Sequence, residues 1–384
     1  MIRSMRRAAA GVGVALLSVT VGLGATAKAG VTAAAGVPKG FKANSITWLS
    51  AQQGWVLGAA PCGQQTCSDV IGTTDGAQTW RLVGPVKAPI AQLGDSTRPG
   101  VVEIRFATPD VGWAFEPRLF RTIDGGHTWS KMTIPGGGKQ VLALAANSSG
   151  AFAIVSTCQW GMGLCNHLPL TLWHTDSLTG TSWTRIPLKL PANVIGPDVA
   201  VFGKTVYVVD PQVDVTGAKD KFYASTDDGL NFAARPVPCD KRPDTALWQV
   251  VPTSATHVAL LCVGNPGLGK SDKLVYRSKT TGKTDTYAGI MNKFGYEPQL
   301  AASPTGKLAV TSYSGGSFID INDTLGRTWN RVVNKGDGGA GWNDIVYVTG
   351  REAWVVYSPI DQFEDFGQLY VTHDGGHHWH VVKP

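Results

Sequence analysis

Short apolar runs alternate with turn residues along the chain. Ser45-Ile-Thr-Trp-Leu49 is followed by Gly54-Trp-Val-Leu-Gly58, and Ile345-Val-Tyr-Val348 by Ala353-Trp-Val-Val-Tyr357. Runs rich in β-branched and aromatic residues, bounded by Gly, Asp and Pro, are typical of strands. After residue 30 no segment keeps the periodicity of an amphipathic helix. The pattern therefore predicts an all-β chain built from hairpins.

A motif of the form Ser/Thr-x-Asp-x-Gly-x-x-aromatic recurs after these strand pairs. Its three complete copies are Thr122 to Trp129, Ser225 to Phe232 and Thr372 to Trp379. Weaker copies are Thr73 to Trp80, Asp176 to Trp183 with two extra residues, Asp323 to Trp329 with one, and Ser278 to Tyr287, which lacks the Asp. The closing aromatics define seven units of about fifty residues.

Four short antiparallel strands in each of seven units describe a seven-bladed β-propeller, in which every blade packs on its neighbours and ring closure removes exposed sheet edges. A linear β-solenoid fits less well because its rungs are shorter. We expect Asp side chains in these turns to accept backbone hydrogen bonds and the aromatics to fill the space between blades.

The repeated motif resembles the Asp-box, or BNR repeat, and the Gly-Trp at residues 54–55 strengthens the match. The resemblance covers residues 42–384 and is closest to the photosystem II assembly factor type of propeller, in a superfamily with sialidase-like and sortilin-like members. It implies that each box joins the third and fourth strands, away from the ligand-binding face. It assigns structural roles to Asp75, Trp80, Asp124, Gly126, Trp129, Asp176, Trp183, Asp227, Gly229, Phe232, Asp323, Trp329, Asp374, Gly376 and Trp379.

The N-terminal segment has the composition of a secretory signal. Three arginines precede an apolar stretch that ends in small residues, so residues 1–29 are interpreted as a cleaved signal peptide. A transmembrane anchor is the alternative, but Gly and Thr dilute the stretch. Residues 30–41 would be a tail or a closing strand, and residues 42–384 the propeller. We expect a secreted or cell-envelope protein.

Charge argues against several kinds of partner. Cleavage after residue 29 would remove four basic residues and no acid, which lowers the formal charge from +6 to +2. Without a basic cluster, nucleic acid is a poor candidate, and no stable membrane anchor is expected. We expect a monomer without cofactors. Neither EF-hand spacing nor a His cluster indicates a metal site, although a structural Ca²⁺ stays open.

Six cysteines follow the predicted cleavage point. Cys62 with Cys67 and Cys158 with Cys165 each flank a short Gly-containing loop, which leaves Cys239 for Cys262. Zinc is the competing interpretation, but no Cys-x-x-Cys or neighbouring His pair supplies the ligand spacing. All three bridges would stiffen the face formed by the loops after the second strands and the loops between blades.

Aromatic and basic residues in those loops are candidates for binding, although each could instead pack on its own blade. They are Trp160, Arg242, Tyr296, Trp342, Phe363 and Phe366, together with Arg105 on an innermost strand.

Catalysis is not expected. A sialidase needs three arginines and a Tyr/Glu pair at the axis, whereas Arg185-Ile-Pro187 belongs to an outer strand. We expect a secreted, non-catalytic propeller that binds an extracellular or cell-envelope protein or glycan. The alternative is a glycoside hydrolase of the sialidase-like superfamily, for which Asp110, Asp198, Asp344 and Asp365 could supply carboxylates.

Overall fold

The computed structural model describes residues 36–91, 99–158, 170–191, 196–212, 219–242, 244–265, 267–336, 341–358 and 367–384, apart from the side chains of Gln65, Tyr296 and Ser358. The segment predicted as a signal peptide, residues 1–29, lies outside them. In the described part of the chain, no helix is long and apolar enough to cross a membrane.

The described residues form twenty-eight strands in seven sheets of four. The first three blades contain β1 (Lys42–Trp48), β2 (Gly54–Cys62), β3 (Gln65–Thr73), β4 (Arg81–Pro85); β5 (Glu103–Phe106), β6 (Gly112–Phe115), β7 (Leu119–Thr122), β8 (Ser130–Lys131); and β9 (Gln140–Asn147), β10 (Gly150–Ser156), β11 (Leu170–Thr175), β12 (Thr184–Leu190). The next two contain β13 (Asp198–Phe202), β14 (Thr205–Asp210), β15 (Lys221–Ser225), β16 (Ala233–Ala234); and β17 (Thr245–Pro252), β18 (Val258–Gly264), β19 (Lys273–Ser278), β20 (Thr286–Ile290). The last two contain β21 (Tyr296–Ala302), β22 (Leu308–Tyr313), β23 (Ser317–Asn322), β24 (Asn330–Lys335); and β25 (Gly341–Tyr347), β26 (Ala353–Ser358), β27 (Gln368–Thr372), β28 (His380–Val382).

Each blade pairs its four strands antiparallel and in sequence order. Helix among the described residues is limited to two short 3₁₀ segments, Pro135–Gly137 and Pro238–Lys241. The predicted all-β, seven-bladed propeller is therefore confirmed.

Burial follows the position of a strand in its blade. The second strands β10, β14 and β18 are buried at every residue, because neighbouring blades cover both of their faces. They are continuous apolar runs for that reason. Outer strands such as β12 are mostly exposed.

Seven hydrophobic clusters fill the spaces between neighbouring blades. Each cluster contains the closing aromatic of one repeat, and together these are Trp80, Trp129, Trp183, Phe232, Tyr287, Trp329 and Trp379. The aromatics therefore pack between blades, as expected.

The first and last blades close the ring by packing, without sharing a strand. Trp48 of β1 stacks on Trp354 of β26 with ring centroids 4.8 Å apart. Near the axis the Ser45 hydroxyl donates a hydrogen bond of 2.8 Å to Asp344 on β25.

The repeated motif folds into a hydrogen-bonded turn between the third and fourth strands. In the second blade the Thr122 hydroxyl donates to Asp124 at 2.7 Å and accepts the Gly126 N–H at 2.8 Å, while Asp124 accepts the Thr128 N–H at 2.9 Å. The turns around Asp75, Asp227 and Asp374 repeat these bonds.

These bonds stabilise the ionised carboxylates. Hydrogen bonds from Thr79 and Thr73 lower the pKa of Asp75 to about 2. Those from Ser225 and Asn231 do the same for Asp227. These carboxylates accept hydrogen bonds within their own turns, which supports the structural roles expected of them.

The third blade departs from this pattern. Its turn carries two extra residues, and the Ser177 hydroxyl accepts the Gly180 N–H at 2.8 Å. Within the described residues the Asp176 carboxylate accepts no hydrogen bond from the turn. With this insertion, the Ser177 hydroxyl takes the acceptor position that the Asp carboxylate holds in the second blade.

Because the strands are antiparallel, their connections divide between two faces of the ring. We call the face with the Asp turns and the first-to-second-strand turns the turn face. We call the face with the second-to-third-strand loops and the inter-blade connections the loop face.

Candidate functional site

The described disulfides lie on the loop face. Cys62 and Cys67 close the β2–β3 hairpin, and Cys239 on an inter-blade connection bonds Cys262 near the end of β18. Both pairings match the prediction. Cys158, after β10, is also disulfide-bonded, but its predicted partner Cys165 lies outside the described residues.

One position on the innermost strands forms hydrogen bonds between neighbouring blades. Its side chain accepts a backbone N–H from the innermost strand of the next blade. These bonds are Ile46 N–H to Asp344 (3.1 Å), Ile104 N–H to Ser45 (3.2 Å), Val250 N–H to Asp198 (2.9 Å) and Leu300 N–H to Gln249 (2.7 Å). The bonds hold polar side chains at the axis in fixed positions.

Arg105 occupies the centre of this arrangement. Its guanidinium contacts Glu103 on the same strand at 2.8 Å and Asp344 of the last blade at 3.2 Å. It also donates to the Ser45 hydroxyl at 3.3 Å. The side chains of Arg105 and Glu103 keep 31% and 33% of their surface exposed, so the ion pair meets solvent although protein surrounds it.

Two further carboxyl groups interact electrostatically with this ion pair. Burial, reinforced by the charge of Glu103, raises the pKa of Glu116 to about 8. Burial also raises the pKa of Asp198 to about 6, against the opposing hydrogen bond from Val250. The pKa of Glu103 is raised as well, because the effect of burial is larger than the opposing effect of the Arg105 charge. We call Glu103, Arg105, Glu116, Asp198 and Asp344 the axial cluster.

The axial cluster opens toward the loop face, because Glu103 and Asp198 begin their strands and Glu116 follows β6. Four carboxyl groups face one guanidinium, so the cluster is acidic overall when they ionise. Burial is the main cause of the raised pKa values of Glu116, Asp198 and Glu103, and neighbouring carboxylate charge adds to it. Such a cluster favours a cationic group.

The geometry does not match a sialidase or a metal site. Among the described residues only Arg105 brings a guanidinium into the cluster, where a sialidase needs three. Arg185 lies on the outer strand β12, as the sequence predicted. The described residues contain no group of three His, Cys, Asp or Glu side chains placed to hold a metal ion.

The other predicted binding residues do not join this cluster. Trp342 is only 4% exposed and packs edge-on against Tyr357 and Tyr370, so the expectation of an exposed ring was wrong. Arg242 is exposed and follows the 3₁₀ segment that carries Cys239. Tyr296 begins β21, but its side chain is not described. Trp160, Phe363 and Phe366 lie outside the described residues.

Among the predicted binding residues whose side chains the structure describes, Arg105 lies at the axis. Its carboxylate neighbours were not in the predicted binding set. Asp198 and Asp344 had been noted as possible glycosidase acids, whereas Glu103 and Glu116 carried no distinguishing motif. Their position at the start of an innermost strand or after a second strand was the available signal.

Comparison with known proteins bears on the fold. No family model matches the chain, and no curated protein matches it. The structure of YCF48 bound to D1 peptide is 13% identical and covers 89% of this chain and 94% of that one, with a TM-score of 0.51. An oligogalacturonate lyase from Vibrio parahaemolyticus is 11% identical over 88% and 92%, with a TM-score of 0.57. The GH74 xyloglucanase from Xanthomonas campestris is 13% identical over 88% and 72%, with a TM-score of 0.36.

The similarities to YCF48 and to the oligogalacturonate lyase show a shared fold. At such identities, neighbours that include a peptide complex and enzymes do not assign an activity.

Proposed function

We propose that this chain is a secreted, non-catalytic propeller of the Asp-box type that binds an extracellular or cell-envelope partner through its loop face. The observation that supports this most strongly is the division of chemistry between the faces. On the turn face the Asp carboxylates are hydrogen-bonded within their own turns. The described disulfides and the axial cluster lie on the loop face. Cross-linked loops lower the ordering cost of binding.

Within protein or glycan ligands, the charges favour a protein segment with a lysine or arginine side chain. Such a cation would enter beside Glu116 and Asp198, two carboxyl groups that interact with the Glu103–Arg105 pair. The similar propeller YCF48 has been solved with a D1 peptide, which supports peptide binding as a use of this fold.

The test is peptide binding by the oxidised full chain. Fluorescence anisotropy would compare decapeptides that carry one Lys or Arg with matched Gln peptides. Glu116→Gln should weaken binding of the cationic peptides about fivefold above pH ~8, where the Glu116 carboxyl is ionised. This is the effect of ~1 kcal/mol expected for a partly exposed ion pair.

Arg105→Gln supplies the opposite variant. It removes the resident cation from between Glu103 and Asp344, so cationic peptides should bind more tightly. Damage to the fold would weaken binding in both variants. Equal affinity for Lys and Gln peptides, or changes in the same direction, would contradict the proposal.

The second candidate is a glycoside hydrolase, favoured by one observation. Glu116 has its pKa raised to about 8 near carboxylates that Arg105 contacts, and a protonated acid near an ionised carboxylate is the pairing that glycosidases use. Release of reducing sugar from a polysaccharide panel, abolished in Glu116→Gln, would favour this candidate.

A further inference from the structure

A tight turn on the loop face of the fifth blade has an unusual conformation. Residues 267–270 form a two-residue hairpin loop, in which the Gly267 N–H donates to the Lys270 carbonyl at 2.8 Å and the Lys270 N–H returns a bond of 3.0 Å. Leu268 and Gly269 have φ values of 50° and 74°. Consecutive positive φ angles favour Asn, Asp or Gly, and Leu is disfavoured there.

Leu268 gains nothing from packing in this position. Its relative exposure is 101%, so the side chain contacts no core. Gly or Asn would suit both the backbone and the solvent better. A residue that lowers stability and offers an apolar group to water indicates selection for something other than folding.

Phe294 extends the apolar surface beside the turn. It is 49% exposed, and the Lys270 ammonium lies 4.6 Å from its ring centroid. The two segments are joined by a hydrogen bond from the Gly295 N–H to the Gly269 carbonyl at 3.0 Å. Lys293 lies in the same segment and pairs with Asp272 at 3.1 Å. We call Leu268, Lys270, Lys293 and Phe294 the fifth-blade tip.

The tip is held rigidly from below. Lys273 is fully buried, and its ammonium lies 2.8 to 3.2 Å from the carbonyl oxygens of Ser271, Lys293, Phe294 and Gly295, which share its three N–H groups. The Cys239–Cys262 disulfide fixes the end of β18 just before the loop. A buried cation held by carbonyls connects the two segments, so the tip is organised before any contact.

We propose that the fifth-blade tip is a second docking element, which binds an acidic protein segment carrying apolar side chains. Two lysines against one aspartate make the tip basic, which complements carboxylates, while Leu268 and Phe294 contact the apolar side chains. A lipid surface fits less well. Leu268 and the half-exposed Phe294 together would bury too little apolar area for stable membrane attachment. This inference is independent of the axial cluster.

The experiment is selection of a displayed random dodecapeptide library on the oxidised full chain. Enriched peptides should combine Asp or Glu with Leu, Phe or Trp. Leu268→Asn and Lys270→Glu should each lower their affinity at least tenfold. Leu230→Asn is the matched control, because Leu230 is 80% exposed on the turn face and should leave affinity unchanged.

Leu268→Asn separates a loss of binding from a loss of stability. Since Asn tolerates positive φ, this variant should melt at a higher temperature than the wild type while it loses binding. Enriched peptides that bind Leu268→Asn as tightly as wild type, or no enrichment of acidic apolar peptides, would overturn the proposal. So would Leu268-dependent retention on phosphatidylcholine/phosphatidylserine vesicles without peptide binding. Altered peptide binding in Glu116→Gln alone concerns the axial cluster instead.

Discussion

The hydroxyl of Thr280 accepts the backbone N–H of Thr284 at 2.9 Å, the same length as the bond from Thr128 to the Asp124 carboxylate. Ser278 completes the match by accepting the Gly282 N–H at 3.0 Å. The fifth blade therefore keeps the turn of its neighbours with a threonine in place of the aspartate. A hydroxyl provides fewer acceptor sites than a carboxylate, which makes this turn weaker than those built on Asp75, Asp124, Asp227 and Asp374.

Restoring the carboxylate should strengthen this turn. Thr280→Asp is expected to raise the melting temperature by about 1–2 °C at pH 7. The new carboxylate should have a lowered pKa, so its benefit is present above pH ~4 and is lost as the pH falls toward 2. Thr280→Asn is the control, whose effect should not depend on pH. A gain that persists at pH 2 would contradict this explanation.

Loss of an existing Asp turn should have the opposite effect. Asp124→Ala removes the acceptor for the Thr128 amide and hydroxyl, and we expect the melting temperature to fall by about 2 °C per ~1 kcal/mol lost. Asp176→Ala is the matched comparison and should change it little, because Ser177 makes the turn bond in that blade. If calorimetry shows equal falls in melting temperature for the two variants, the hydrogen bonds accepted by Asp124 do not explain its contribution to stability.

Glu116 predicts a pH dependence of stability. Its folded pKa, about 8, lies above its ordinary value, so the folded protein holds a proton that the unfolded chain releases. The contribution of Glu116 to stability should therefore fall as the pH rises from about 4.5 to 8. Urea unfolding of Glu116→Gln should show a shallower decline than wild type. Asp110→Asn, an exposed carboxylate, should keep the wild-type slope, and identical slopes in all three would refute the assignment.

The two described disulfides should contribute unequally to stability. The Cys239–Cys262 bridge spans 23 residues and the Cys62–Cys67 bridge spans five. Loop-closure entropy predicts a loss of about 3 kcal/mol for Cys239→Ser/Cys262→Ser, against about 2 kcal/mol for Cys62→Ser/Cys67→Ser. Denaturant titration of the two double variants measures both losses. A larger loss for the shorter loop would mean that chain entropy does not govern these bridges.

The propeller was predictable because its signals are local and repeated. The closing aromatics from Trp80 to Trp379 recur at blade spacing, and each packs between blades as the repeat requires. In the third blade an insertion of two residues, which is visible in the sequence, changes which side chain meets the backbone amides. The motif does not indicate that Ser177 takes over this position.

The axial cluster could be predicted only in part. Arg105 was identified from its place on an innermost strand, but its contact with Asp344 joins residues 239 positions apart. Ring closure brings them together, and no local pattern encodes that distance. Trp342 shows the reverse error, since a loop position suggested exposure whereas Tyr357 and Tyr370 bury the ring.

We propose that the loop face binds a partner without chemical reaction. The most direct test incubates the oxidised full chain with a combined peptide and polysaccharide array and scores both retention and released product. We expect the chain to retain cationic peptides, with retention weakened in Glu116→Gln above pH ~8 and strengthened in Arg105→Gln, and to release no sugar. Release of sugar that Glu116→Gln abolishes would contradict it and identify the axial cluster as a catalytic centre.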